Sequence, residues 1–155
     1  VPGPRDTPGL PAPPPLVFLG GLLLGGVLEA FFPTDAPAWW VRVLVAVAGL
    51  GGGYLLAGRA LRSFASVGTT PNPFEPSTAI ATGGPYRFTR NPMYLGMALA
   101  YVGLAFAIGI LWALAALPVV LLVIDRVIIK REERYLEARF GEQYLAYKRR
   151  VRRWL

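Results

Sequence analysis

Residues 93–124 run for thirty-two positions without a single formal charge. As one straight helix they would reach about 48 Å, well beyond a bilayer core of roughly 30 Å. A chain carrying such a run either folds it back on itself or buries it in a far larger protein. With 54% of its 155 residues hydrophobic, the chain is too apolar for an ordinary soluble fold of this size. The run therefore reads as a helical hairpin that turns near 108–112, where Gly109 offers the bend, with Pro118 kinking its second arm.

Two further apolar stretches precede it. Residues 16–32 are apolar except for Glu29, and residues 33–37, Pro-Thr-Asp-Ala-Pro, end them. Trp39 and Trp40 come at once after these, as in an interfacial aromatic belt. A second stretch runs over 38–57, with Arg42 near enough to its end to snorkel. Its glycines, Gly49, Gly51, Gly52 and Gly53, suit close helix approach, as do Gly96 and Gly103 seven residues apart in the hairpin. No phosphate-binding Lys-Ser or Lys-Thr comes after the glycines, so they are no nucleotide loop. The expected fold is an all-α, polytopic membrane bundle of about four spans: 16–32, 38–57, 93–108 and 111–129. A Pro-rich lead over 1–15, with seven prolines, reads as flexible. Residues 16–155 read as a single domain.

Charge orients this bundle. The first loop has no Lys or Arg, the loop 58–92 has four arginines, and ten of the sixteen basic residues lie between Arg126 and Arg153. By the positive-inside rule both termini and both basic regions face the cytoplasm, in an inner or cytoplasmic membrane. Nucleic-acid binding is set aside because the rest of the chain is lipid-like, and no obligate protein partner is evident. The chain has no Cys and no His, which excludes thiolate chemistry, the usual neutral-pH base and the commonest metal ligands, so no metal is expected.

The chemistry-bearing stretch is Gly84–Gly96, GPYRFTRNPMYLG. It places rings, arginines and an Asn-Pro pair where a polar loop meets an apolar run. Beyond the hairpin, residues 130–155 form a charged amphipathic helix, interrupted at Gly141. Its aromatic face, with Tyr135, Leu136, Phe140, Tyr144 and Tyr147, is expected on the membrane surface or on the loop before the third span. The two regions then meet in one pocket, with Arg87 and Arg90, Tyr86 and Tyr94, Asn91, Glu132 and Glu133. Asn91-Pro92 also reads as a helix start, with Asn capping. An ion pair with Lys130 or Arg134 along the helix explains Glu133 more easily than Glu132.

The combination resembles the isoprenylcysteine carboxyl methyltransferase and phospholipid methyltransferase superfamily of membrane enzymes. The matching elements are Gly84-Pro85-Tyr86, Arg90-Asn91-Pro92-Met93-Tyr94-Leu95-Gly96, Glu132-Glu133 and Phe140-Gly141-Glu142-Gln143-Tyr144-Leu145-Ala146-Tyr147, in order and at matching spacing. The resemblance covers roughly residues 59–155. It implies S-adenosyl-L-methionine held between elements 78–94 and 130–147, against Thr78, Ala79, Ile80, Ala81, Tyr86, Asn91, Pro92, Met93, Tyr94 and Glu132, with Arg90 and Glu133 beside them. Arg90 would meet the methionine carboxylate, and Glu132 the ribose hydroxyls or the amino group. The acceptor would be a lipid or lipophilic small molecule entering from the membrane. No catalytic residue is fixed; Glu75, Glu132 and Arg90 are the candidates.

Two departures stand out. Asn91 occupies the position of the family's His and cannot act as a base. Ile128 falls where the isoprenylcysteine enzymes carry a substrate-binding arginine, which weakens that acceptor class specifically. Two rival readings are a basic membrane protein binding anionic lipid or a partner, and a truncated relative of the NADPH-dependent sterol reductases.

Overall fold

The computed structural model describes residues 7–155, and among them every regular element is helical. Helix α1 spans Pro14–Phe31, α2 Trp39–Ser66 and α3 Pro92–Ile108. Helix α4, Trp112–Val123, continues without a break through a π-helical stretch, Ile124–Ile129, into α5, Lys130–Phe140; α6 is Glu142–Arg150. Residues 1–6 of the Pro-rich lead lie outside the described residues. Among the described residues, three helices are long and apolar enough to cross a bilayer: α1, α2 and the continuous Trp112–Phe140; Pro92–Ile108 is a shorter apolar helix. The chain is an integral membrane protein.

Proline and glycine set the boundaries. Pro14 and Pro92 sit in the first turns of α1 and α3, where a missing N–H costs nothing. The hairpin turns at Gly109, in the left-handed region at φ +77°. Helix α2 does not stop near Ala57 but runs on to Ser66. Arg59, Ala60, Leu61 and Arg62 are good helix formers, and no proline intervenes before Pro71.

Helices pack in two close pairs, α2 with α3 and α1 with α4. A Cβ on Gly53 would come within 2.5 Å of the Gly96 carbonyl oxygen, and one on Gly49 within 2.8 Å of Gly103 Cα. A Cβ on Gly25 would lie 2.5 Å from the Ala113 backbone. Gly51, by contrast, faces open space. Backbones this close give dispersion contact in a solvent where apolar burial between helices gains little. Tyr101 is fully buried between the pairs, and its hydroxyl donates to the Ala113 carbonyl at 2.8 Å.

The polar groups at the end of the bundle far from the tail are satisfied locally. Glu29 accepts from Thr34 N–H and from Thr34 Oγ1, both at 2.6 Å, which closes the α1–α2 loop. Arg42 does not snorkel free: its guanidinium donates to the Phe106 and Ala107 carbonyls at 3.1 and 2.8 Å, capping the end of α3. Elsewhere the outward faces are apolar, with Leu23, Leu44, Val47 and Trp39 all exposed, as a lipid-facing surface requires.

At the opposite end, residues 7–13 are not helical, yet Leu10 is buried in the core and the Gly9 carbonyl accepts from Arg131 Nη1 at 3.0 Å. This part of the lead is packed. The π-helical stretch shifts the helical phase, since each added residue rotates the remainder of the helix by about 100°. It buries Ile124, Ile128 and Ile129 together and sets which carboxylate of α5 turns inward.

Candidate functional site

The 77–94 segment crosses the tail end of the bundle and is tied down by α5 and α6. Ser77 N–H donates to Tyr135 Oη at 2.9 Å, and the Arg139 guanidinium reaches the Ser77 carbonyl. Tyr147 donates its hydroxyl to the Tyr86 carbonyl at 2.8 Å. Tyr86 itself is held in a short 3-10 turn, Gly84–Arg87, with its ring edge-on to Phe64 of α2 at 5.4 Å between centroids. The aromatic face of the tail thus seals the loop before α3.

Between these elements lies a cavity of about 290 Å³, at the lower end of the range for small-molecule sites. Ala79, Ile80, Ala81 and Tyr86 line it from the loop; Arg90 and Asn91 from the start of α3; Met93 and Tyr94 from the helix itself; Glu132 and Glu133 from α5. Three expected positions are not on its wall. Pro92 is buried in the first turn of α3. Thr78 staples the loop, its N–H donating to Thr69 Oγ1 at 3.0 Å and its hydroxyl to the Gly68 carbonyl at 3.1 Å. Glu75 is exposed and accepts from Asn72 Nδ2, itself on the cavity wall, at 2.8 Å. Arg87 also departs from expectation: it points away from Arg90 and lines a different cleft.

Sequence reasoning missed two contributors. Pro8, Pro14 and Pro15 form part of the wall. The last residues, 151–154, leave α6 in extended conformation and clasp the start of α3: the Arg152 carbonyl accepts from Arg90 N–H at 2.9 Å, and the Arg153 carbonyl from Asn91 Nδ2 at 2.9 Å and Thr89 Oγ1 at 3.1 Å. Asn91 therefore makes no side-chain cap on α3; its amide holds the tail. The only sequence signal was Trp154 at the end of a basic run, and its indole N–H donates to Asp125 at 3.1 Å.

The two acidic residues divide their tasks. Glu133, 5% exposed, receives the Arg153 guanidinium at 2.6 and 3.1 Å and Arg90 Nη2 at 3.2 Å, with Lys148 at 3.9 Å. It does not pair with Lys130 or Arg134 along its own helix; the partners come from the loop before α3, from α6 and from the tail. Arg153 is shared with Asp125, its Nη1 lying 3.2 Å from both carboxylate oxygens. Glu132 instead accepts from the Tyr94 hydroxyl at 2.7 Å. Burial pushes its pKa up to about 7, against the lowering effect of the Tyr94 bond and with a further push from the Glu133 charge.

Arg90 is the least satisfied group here. Its side chain is 9% exposed, its one ion pair uses Nη2, and its Nε and Nη1 are buried without a hydrogen-bond partner among the described residues. Buried guanidinium donors left unpaired are costly. The cavity wall thus offers a cation, a carboxylate whose pKa burial raises to about 7, and a lining that is otherwise mostly aromatic and apolar.

An uncharacterized protein from Haemophilus influenzae is 41% identical over 63 residues, covering all of that protein and 41% of this chain. No solved structure matches the chain. The phospholipid methyltransferase family matches residues 41–143, from the second helix through the cavity and into the tail, and the chain belongs to that family of membrane methyltransferases.

Proposed function

We propose that this protein transfers a methyl group from S-adenosyl-L-methionine to a lipid or lipophilic acceptor, with the cofactor seated in the cavity between the 77–94 loop and α5–α6. The observation that carries the reading is Arg90. Its side chain lines the cavity, and its Nε and Nη1, buried there without a partner among the described residues, are donors for which the carboxylate of an amino acid is the best-matched partner, the charge-assisted pairing that guanidinium groups form best. Glu132 supplies the complementary acceptor for an amino group or ribose hydroxyls. Tyr86, Ile80 and Tyr144 give a slot for a flat base.

Bound there, the cofactor supplies an electrophilic methyl group on a sulfonium. The chain itself contributes alignment and exclusion of water. The carboxylate–guanidinium cluster of Glu133, Arg153 and Asp125 fixes Arg90, and the tail clasp fixes the loop bearing it. An acceptor that is already an anion needs no base. An amine acceptor must lose a proton, and Glu132, with its pKa near 7, can take it. We place the site at the cytoplasmic side of an inner or cytoplasmic membrane on the strength of the basic loop and tail.

The test is a transfer assay. Purified protein is incubated with methyl-labelled cofactor and a total membrane lipid extract, and labelled product is identified by mass. Label in the lipid phase that disappears with Glu132→Ala supports the reading; no transfer to any lipid fraction by a folded preparation contradicts it.

A further inference from the structure

The arginines at this end of the bundle fall into two groups. Arg90 and Arg153 share Glu133. On the other side of the Phe64–Tyr86 wall, Arg59 and Arg62 from α2 and Arg87 from the 3-10 turn line a separate open cleft of about 560 Å³, with Ser63, Ser66 and Phe88. Among the described residues no carboxylate lines it. None of these three arginines forms an ion pair among the described residues. Residues 58–92 hold one acid, Glu75, which is engaged by Asn72. Three like charges held on one concave surface repel one another unless an anion lies between them.

The cleft is built into the fold. Gly84, at φ +56°, brings the turn against α2 so closely that a Cβ there would lie 2.6 Å from Ser63 Oγ. That approach, with Ser63 Oγ donating to the Gly83 carbonyl at 3.1 Å, is what carries Arg87 over Arg59 and Arg62. Its depth is set as well. No charge lies between Arg42 and Arg59 on α2. The intervening helix is about 26 Å long, close to the thickness of a hydrocarbon core. Since Arg42 caps the far end of α3, Arg59 and Arg62 emerge at headgroup level. Phe88, next to Arg87, is 75% exposed and suited to dip into the acyl boundary.

We propose that this cleft binds the phosphate of an anionic phospholipid headgroup, as a site separate from the reaction cavity. Guanidinium groups take phosphate oxygens in pairs, and neutralising the three arginines relieves their mutual repulsion. The cleft shares no lining residue with the cavity that Arg90 faces, and the lipid held here is not the methyl acceptor. It anchors the loop that carries Tyr86 and Arg90 to the membrane surface.

Native mass spectrometry of the full chain, released from micelles containing equal phosphatidylglycerol and phosphatidylcholine, tests this. One phosphatidylglycerol should be retained preferentially. Retention should fall about a hundredfold in the Arg59→Gln, Arg62→Gln, Arg87→Gln triple variant and about fivefold in Arg87→Gln alone, whose side chain is exposed on the turn. Arg149→Gln with Arg150→Gln, on the exposed end of α6, should leave it unchanged. Retention by the folded variants equal to that of the native chain, or no preference over phosphatidylcholine, overturns the proposal. Displacement of the lipid by millimolar inorganic phosphate overturns the lipid as its source and leaves a soluble phosphate ligand in its place. S-adenosylhomocysteine affinity, measured in parallel, should stay within about twofold in the triple variant, since these side chains lie outside the reaction cavity. Failure of the native chain to bind that ligand counts against the methyl-transfer reading alone.

Discussion

Glu132 and Glu133 are adjacent in the chain and opposite in circumstance. Glu133 is buried among cations, whereas Glu132 has a single hydrogen bond and a pKa raised to about 7 by burial. A carboxyl group that holds its proton more tightly when folded than when unfolded makes stability fall as pH rises, from the ordinary carboxylate range up through about 7. Glu132→Gln removes that loss while keeping an acceptor for Tyr94. It should therefore raise the melting temperature of ligand-free protein more at pH 8 than at pH 5, as thermal melts in detergent will show. Both residues were legible as site candidates, and Glu133 as the more readily ion-paired of the two. Which cations hold it was not, because its partners are Arg90 and residues of the tail rather than of its own helix. Asn91 is a second case. Its residue type suggested a cap, yet its amide is spent on the Arg153 carbonyl. Asn91→Ala should lower unfolding free energy by about 1 kcal/mol, the worth of one lost hydrogen bond, since the Arg153 carbonyl keeps the Thr89 hydroxyl as a donor.

At the level of elements, the helix pairs were written into glycine spacing and the tail clasp was not. Gly49, Gly53, Gly96 and Gly103 mark a seam because only a missing side chain permits that approach. The same run contains Gly51, which faces open space, and composition cannot tell the two apart. Their substitutions should differ accordingly: Gly53→Ala, pressing on the Gly96 carbonyl, should destabilise the protein by about 1–3 kcal/mol, whereas Gly51→Ala should be neutral or slightly stabilising. Unfolding in denaturant from the same detergent measures both. The clasp of residues 151–154 on the start of α3 works largely through backbone carbonyls, which every residue carries. No pattern of side chains announces it.

On the scale of the whole molecule, apolar run length fixed the membrane class and the hairpin, and the clustering of arginines drew attention to one end. It did not separate the cavity at Arg90 from the more open cleft at Arg87, since the tight turn Gly84–Arg87 decides which way each points. The proposed orientation puts both at the cytoplasmic face. Because the chain has no cysteine, Phe88→Cys and Asp35→Cys each provide a unique thiol, and a membrane-impermeant reagent added from outside sealed cells should label the second alone.

Methyl transfer by this protein requires that the cavity beside Arg90 hold the cofactor, and titration calorimetry with S-adenosylhomocysteine asks whether it does. The intact, detergent-purified chain should bind one equivalent. Arg90→Gln, which leaves Glu133 paired with Arg153, should stay folded and bind about 10–100-fold more weakly. An absence of binding by the intact chain, or a folded Arg90→Gln variant that binds as tightly as the native protein, would contradict a cofactor site at Arg90.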